Sequence, residues 1–228
     1  MFKKIRNSFL LALLSILTTH QAFAGGVTLG TTRVIYPSNS KQAELTVINT
    51  DPQNKFLVQS WIEDEHGHKN KDFIVTPPLY VLEANKENVL RVVYTGNNLP
   101  QDRESMFWAN VKVIPPLNDE NKTANTMQIA IQNRIKLFYR PQSIINYDEH
   151  EHEKLQFTRQ NNKLEVRNPT PYYLTLVNIK SNQRELASSL VVAPFSSSYL
   201  ISNVSGSVSY QTINDFGAQT SRVTKKIN

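Results

Sequence analysis

The sequence has no cysteine among its 228 residues. That absence excludes disulfide scaffolds, thiol catalysis and cysteine-ligated zinc sites. The chain also lacks any block of five or more lysines and arginines, so we expect no nucleic acid partner. Its longest apolar run, near the amino terminus, is less than half of the roughly 20 residues that a membrane-spanning helix needs, so we expect no membrane insertion.

The short motifs of common enzyme classes are missing as well. We find no Gly-x-Ser-x-Gly, no His-Glu-x-x-His, no Walker-type loop and no Gly-x-Gly-x-x-Gly. The pairs His66/His68 and His150/His152 place two imidazoles on one face of an extended chain, which favours metal chelation. Their Asp, Glu and Lys neighbours indicate solvated loop histidines instead. We therefore expect no enzyme, no cofactor and no functional metal site.

The amino-terminal segment has the three parts of a secretory signal. Three basic residues precede an apolar run from Phe9 to Leu17, and Ala22-Phe23-Ala24 has small residues at both flanking positions. We predict a signal peptide over residues 1–24 with cleavage after Ala24. Its removal takes three positive charges away, so the formal net charge falls from +6 to about +3.

The remaining length suits two domains of one kind. Removing the signal leaves 228 − 24 = 204 residues, and an immunoglobulin-type sandwich takes about 100 residues. Alternating apolar bursts bounded by turn-forming residues recur along the chain and predict strands. From Pro141 to Lys154 the composition changes to Gln, Asn and acidic residues. We therefore predict an all-β fold with two immunoglobulin-like domains, residues 25–145 and 146–228.

The most informative strand pattern lies between Met127 and Tyr139. Met127, Ile129 and Ile131 share one face because side chains alternate along a strand. Such a strand beside an open sheet edge can pair with another polypeptide. The alternative is that these three side chains face the protein's own core, and the sequence does not decide between the two.

Six motifs follow one another in an order that carries a resemblance. They are Gly30 to Pro37, Phe73 to Pro78, Leu99 to Ser105, Arg134 to Pro141, Asn168 to Tyr173 and Ile213 to Gly217. In this order they resemble the periplasmic pilus-assembly chaperones, most closely the type 1 fimbrial ones. The short polar connection from Pro115 to Thr126 and the absence of cysteine resemble the short-loop branch of that family.

The resemblance implies an L or boomerang arrangement of the two domains, with a client site in the cleft between them. Arg33 and Lys136 match the two cations that anchor the terminal carboxylate of a pilus subunit. Met127, Ile129 and Ile131 match the strand that is lent to the subunit's groove, a known case of strand addition. The acidic and basic residues of an ionic network between the domains match Glu104, Arg140 and Asp215.

The resemblance also implies partners and a compartment. The expected partners are pilus subunits, including pilins and an adhesin, and an outer-membrane usher that receives them. The expected compartment is the periplasm. An exposed edge strand also invites pairing between copies, so the free protein is expected to be able to cap itself as a homo-oligomer.

The strongest alternative of another class is an exported pilus subunit or an immunoglobulin-like adhesin. A pilin is normally a single sandwich with a disulfide, whereas this chain has two sandwich-sized halves and no cysteine. An adhesin favours an aromatic sugar-binding cluster. Trp61 and Trp108 lie inside strand patterns, which we interpret as packing positions.

Overall fold

The computed structural model describes residues 25–116, 127–182, 184–201 and 204–227, with only the backbone of Ile201. The predicted signal peptide, residues 1–24 with its cleavage site after Ala24, lies outside the described residues. So does residue range 117–126 of the polar connection.

Nine strands form the first domain as two facing sheets. One sheet has the order β1-β3-β7-β5 and the other has the order β2-β9-β8-β4-β6. Neighbouring strands are antiparallel except for β2 and β9, which are parallel. The strands are β1 Val27–Leu29, β2 Arg33–Pro37, β3 Ala43–Asn49, β4 Phe56–Glu63, β5 Phe73–Thr76, β6 Leu79–Leu82, β7 Glu87–Tyr94, β8 Ser105–Ile114 and β9 Ile131–Arg140.

Seven strands form the second domain, also as two sheets. Their orders are β10-β11-β14 and β13-β12-β15-β16. The strands are β10 Gln156–Gln160, β11 Lys163–Asn168, β12 Leu174–Ser181, β13 Arg184–Val192, β14 Ser196–Ile201, β15 Ser207–Thr212 and β16 Val223–Lys226. The prediction of an all-β fold with two sandwich domains is confirmed.

Each sandwich encloses its own core because alternate strand residues point inward. In β3 the pattern of buried residues is strictly every second position from Ala43 to Asn49. Val58, Leu90 and Val111 are fully buried in the first core. Leu176 is fully buried in the second core. Full burial of one such aliphatic side chain stabilises the folded state by about 1.5–3 kcal/mol. Because each domain has its own set of buried side chains, each is stabilised by its own core.

The segment between the domains is more ordered than its composition suggests. Two short 3-10 helices, Gln142–Ile144 and Glu149–Lys154, connect β9 to β10. His152 is 4% exposed, and its Nδ1 lies 2.6 Å from the carbonyl oxygen of Glu149. Our interpretation of His152 as a solvated loop residue was therefore wrong. Packing of the helix against the second domain, where Tyr210 donates to the His152 carbonyl, buries the ring.

Candidate functional site

Arg33 and Lys136 lie directly opposite each other on the parallel strands β2 and β9. Both side chains turn toward the second domain. Arg33 Nη1 donates to the carbonyl oxygen of Ile213 at 2.9 Å, and Lys136 Nζ donates to Thr175 Oγ1 at 3.3 Å. The sequence therefore brings two cations together at the junction of the two domains.

Burial weakens the hold of both residues on their protons. It lowers the pKa of Arg33, an effect that the carboxylates of Asp215 and Glu104 oppose. It also lowers the pKa of Lys136, and the neighbouring Arg33 charge lowers it further. Each of two like charges that are partly shielded from water disfavours the charged form of the other. An anion that binds between them would relieve this repulsion.

Hydrogen-bonding capacity is left over at this pair. The Nε atom of Arg33 is buried and has no hydrogen-bond partner. Arg33 presents further N–H donors in a planar fork, and an ammonium such as Lys136 has three donors. Arg33 is only 8% exposed, so its position is held by the surrounding structure. Chemically, the pair is suited to a carboxylate that accepts charge-assisted hydrogen bonds.

The three residues proposed as a donor strand precede this pair along the chain and point into solvent. Met127, Ile129 and Ile131 are 88%, 64% and 63% exposed. Only Ile131 belongs to β9, since residues 127–130 have no strand partner. Met127, Ile129 and Ile131 lie on the same side of the chain as Leu137 and Tyr139, since side chains alternate. Leu137 and Tyr139 lie in the protein's own core. The core face of β9 thus continues as an exposed apolar row.

The same stretch of β9 has an open edge. β8 pairs with β9 from Ile131 to Tyr139, whereas β2 pairs only from Lys136 to Arg140. Residues 131–135 therefore have one neighbouring strand and one free side. An edge of this kind presents unpaired backbone N–H and C=O groups to another chain. It ends at Arg33 and Lys136.

Glu104, Arg140 and Asp215 form one connected ionic cluster between the domains. Arg140 Nε donates to Glu104 Oε1 at 2.8 Å. Its Nη1 and Nη2 donate to the two carboxylate oxygens of Asp215 at 2.6 and 2.9 Å. The guanidinium also lies over the rings of Tyr147 and Tyr172, at 5.1 and 5.3 Å from their centroids.

Burial and ion pairing shift the pKa values of Glu104 and Arg140 in opposite directions. Burial raises the pKa of Glu104 to about 7, although the Arg140 charge and the Tyr173 N–H oppose that rise. The pKa of Arg140 is raised because its hydrogen bonds to Asp215 and the charge of Glu104 outweigh its burial. Glu104 Oε2 accepts from the backbone N–H of Tyr173 at 2.8 Å. One carboxylate therefore connects both domains.

Some residues at the site carried no signal in the sequence. Thr175 and Ile213 contact the two cations from strands β12 and just after β15, and nothing local distinguishes them from other strand residues. Trp61 and Trp108, which we interpreted as packing positions, contact other side chains: Trp61 Nε1 donates to Glu63, and the Arg134 guanidinium lies over the Trp108 ring. Both are only partly buried and lie on the outer face of the five-stranded sheet, because the residues on either side of each in the chain take the inward positions.

Two further properties of the described part bear on function. Within residues 25–116, 127–182, 184–201 and 204–227, no group of three or more His, Cys, Asp and Glu is arranged to hold a metal ion. In the same ranges no helix has the length and apolar character needed to span a membrane.

Comparison with known proteins finds matches over most of the chain. The family described as pili and flagellar-assembly chaperone, PapD N-terminal domain, matches residues 26–145. The family described as pili assembly chaperone PapD, C-terminal domain, matches residues 150–224. The chaperone protein FimC of Escherichia coli K12 is 47% identical over 201 residues, which cover 87% of this chain and 83% of that protein.

Other relatives extend the match. The chaperone protein LpfB of Salmonella typhimurium LT2 is 43% identical over 223 residues, 95% of this chain and 96% of that protein. The crystal structure of the periplasmic chaperone SfaE superposes with a TM-score of 0.77 at 43% identity, over 89% of this chain and 100% of that chain. A chain from the Salmonella enterica SafA pilin in complex with the SafB chaperone gives 0.81 at 33% identity, over 88% and 96%. This chain therefore belongs to the PapD-like pilus assembly chaperones.

Proposed function

We propose that this protein is a periplasmic chaperone that binds, folds and caps pilus subunits by donor-strand complementation. The observation that carries the proposal is that the open edge of β9 ends at the cation pair Arg33 and Lys136. An edge strand supplies backbone pairing, and the two cations define where a guest strand stops.

The cation pair is proposed to anchor the terminal carboxylate of the client. A hydrogen bond to a charged group contributes about 1.5–3 kcal/mol, so two such contacts make a substantial part of the binding energy. They also select a chain end over an internal segment, because only the end carries a carboxylate on the backbone.

The position of the anchor fixes the direction of the client strand. β2 runs parallel to β9 and begins at Arg33. A client strand beside residues 131–135, with its carboxyl end at Arg33, must also run parallel to β9. Its apolar groove then receives Met127, Ile129 and Ile131, and each buried side chain contributes about 1.5–3 kcal/mol before ordering costs.

The relatives support the nature of the client and the compartment. One similar structure is a pilin in complex with its chaperone, and another is a periplasmic chaperone. We propose pilins and an adhesin as clients, with export directed by residues 1–24 and cleavage after Ala24. The relatives named above are chaperones, which favours this function over the alternative of a pilus subunit or adhesin.

Release is proposed to occur at an outer-membrane usher. The incoming subunit's own donor segment replaces the lent strand, so the exchange needs no nucleotide. Between rounds, the exposed apolar row and open edge are free to pair with a second copy, which caps the site.

The ionic cluster is proposed to hold the two domains at the angle that this site requires. The proposed domains are residues 25–145 and 146–228, and Arg140 lies close to their boundary. Because Glu104 and Asp215 come from different domains, loss of Arg140 would free both and disturb the anchor indirectly.

The proposal is tested with a pilin that co-purifies with the wild-type protein from the periplasm. A synthetic peptide of its carboxyl-terminal strand is made with a free carboxylate and with a terminal amide. We expect the wild-type protein to bind the carboxylate form at least tenfold more tightly, since about 1.4 kcal/mol corresponds to tenfold. Arg33→Ala and Lys136→Ala should lose this preference and abolish piliation while remaining folded.

Lys55→Ala serves as the control because Lys55 is an exposed cation of the same domain. Wild-type piliation in both anchor variants would contradict the proposed anchor.

A further inference from the structure

Lys136 is held beside Arg33 although both side chains carry a positive charge. The two residues lie opposite each other on β9 and β2, and the charge of Arg33 contributes to the lowered pKa of Lys136. A lysine ammonium sits on a flexible four-carbon stem. Repulsion from Arg33 would by itself turn this ammonium out into water, so a contact elsewhere must keep it in the junction.

The contact that holds Lys136 comes from the second domain. Its Nζ donates to the hydroxyl oxygen of Thr175 at 3.3 Å, and Thr175 is only 5% exposed. Thr175 belongs to β12, where its neighbours Leu174 and Leu176 lie in the second core. Because side chains alternate along a strand, Thr175 points away from that core and toward the first domain.

Thr175 is the one hydrogen-bond acceptor of the Lys136 ammonium in the part of the chain that the structure describes. The centroid of the Trp108 ring lies 6.0 Å from Nζ, which adds only a weak attraction. An ammonium has three N–H donors, so two of them remain available to an anion while the third is held by Thr175. The contact therefore fixes the ammonium without using up its capacity to bind.

The main chain of Thr175 also leads to the other cation. Its carbonyl oxygen accepts from the backbone N–H of Ile213 at 3.0 Å. The carbonyl oxygen of Ile213 in turn accepts from Arg33 Nη1 at 2.9 Å. The side chain of Thr175 thus contacts Lys136, while its backbone supports the residue that contacts Arg33. A substitution of the side chain alone should change the first contact and keep the second.

We propose that Thr175 is a positioning residue of the client anchor, whose hydroxyl keeps the Lys136 ammonium beside Arg33 so that both cations reach one carboxylate. This inference rests on the proposed function. An anchor that is ordered in advance does not have to bring two like charges together when the client arrives, and this makes binding tighter. Because Thr175 belongs to the second domain, the anchor is ordered only while the two domains are docked.

The experiment titrates the full protein with the pilin peptide in its carboxylate and amide forms. Thr175→Val keeps the branched shape and removes the hydroxyl, whereas Thr175→Ser keeps the hydroxyl. Thr158→Val is the matched control, because Thr158 lies on β10 of the same domain, opposite Glu165. The measured quantity is the ratio of the two affinities, since a change that only loosens the protein weakens both forms alike.

We expect Thr175→Val to bind the carboxylate form about fivefold less tightly than the wild type does. Its affinity for the amide form should stay within about twofold of the wild type. Thr175→Ser should retain most of the preference for the carboxylate, and Thr158→Val should match the wild type with both peptides. Thr175→Ala removes the hydroxyl with less bulk and provides the same test if Thr175→Val does not fold.

A double variant tests whether Thr175 acts through Lys136. When Lys136→Ala is already present, Thr175→Val should cause no further loss of affinity for the carboxylate form. Two independent effects would multiply instead. A further loss in the double variant would therefore contradict a positioning role.

The outcomes separate this inference from the proposed function. An unchanged carboxylate preference in Thr175→Val, with Lys136→Ala defective, would overturn the role of Thr175 and leave the proposed function intact. Equal losses for both peptide forms would overturn it too, since they would show a general structural effect. If the wild-type protein had no preference for the carboxylate, the proposed function would fail instead.

Discussion

Gly217 packs against Thr32 so closely that a methyl group at Gly217 would overlap the hydroxyl oxygen of Thr32. Gly217 also has a φ of 83°, in the left-handed region that favours glycine. It closes a turn of the second domain, residues 213–217, that contacts both Arg33 and Arg140. Ile213 accepts from Arg33, and Asp215 accepts from Arg140.

Gly217→Ala should therefore loosen the contact between the domains and weaken client binding. The methyl group must displace the turn from Thr32, and this moves the Ile213 carbonyl away from Arg33. The left-handed φ adds a cost of about 1 kcal/mol by itself. Thermal unfolding and titration with the carboxylate peptide would measure the two effects.

Gly206→Ala is the matched control for this substitution. Gly206 has a φ of 90° and no heavy atom near its Cβ position, so the variant carries the backbone cost without the clash. We expect Gly206→Ala to lose a similar amount of stability from the left-handed φ and to bind the carboxylate peptide as tightly as the wild type does. Identical behaviour of the two variants would refute a special role for the Gly217 contact.

Glu104→Gln should change how stability depends on pH. Burial raises the pKa of Glu104 to about 7 from an ordinary value of 4.5, against the pull of Arg140. The folded state then binds a proton between these values that the unfolded state has lost, so this group's contribution to stability falls as pH rises from 4.5 to 7.

The glutamine variant does not titrate and should lack this fall. The difference in unfolding free energy between wild type and variant should decrease by up to about 3 kcal/mol across the window. Chemical denaturation at several pH values measures it, and the subtraction cancels titrations common to both proteins. Parallel stability curves would contradict a raised pKa.

Ile129→Asp should weaken client binding and leave the fold intact. Ile129 is 64% exposed, and exposed positions usually change stability by less than about 0.5 kcal/mol. Loss of the Ile129 side chain from the client groove should reduce the affinity for the client about tenfold to a hundredfold. Leu137→Asp is the contrast. Leu137 points to the same side of the chain as Ile129 but is fully buried, so we expect this variant to unfold the domain. Unfolding of Ile129→Asp would show that its side chain is needed internally.

Asn168→Asp should destabilise the second domain although the side chain keeps its size. Asn168 is fully buried, and its Nδ2 donates to the carbonyl oxygens of Tyr172 and Val192 at 2.7 and 3.2 Å. The substitution removes these donors and brings a carboxylate against the carbonyls. We expect a loss of about 3 kcal/mol or more by chemical denaturation.

Asn161→Asp provides the comparison for this variant. Asn161 lies at the exposed tip of the β10–β11 hairpin with a φ of 55°, which Asn and Asp both tolerate. Its stability should stay within about 0.5 kcal/mol of the wild type. A comparable loss in both variants would show that the buried amide bonds do not matter.

Most strands were predictable because alternation is a local property. Alternating apolar residues from Ala43 to Val47 and from Phe107 to Val113 lie in β3 and β8. The strands β5 and β6 have only four residues each, which is too short an alternation to predict a strand. The strand predicted from Met127 begins only at Ile131, because no neighbouring strand extends beyond it.

Burial of individual polar and aromatic residues was harder to predict than the strands. His152 looked solvated from its acidic neighbours, yet a 3-10 helix carries it against the second domain. Trp61 and Trp108 lie inside strand patterns, which indicated packing, and the parity of their strands places that packing on the outer face of the sheet. Composition gave the wrong answer for His152 because burial depends on which element lies opposite.

The amino-acid sequence alone determined two sandwich domains, an apolar row from Met127 to Ile131 and the two cations of the proposed anchor, because strand alternation and family motifs are local properties of the sequence. Only the tertiary structure decided that β2 begins opposite Lys136 and leaves residues 131–135 without a second neighbour, and that Glu104, Arg140 and Asp215 meet. These relations join segments from separate strands and both domains. Their geometry is fixed by sheet register and domain packing, which no local stretch of sequence specifies.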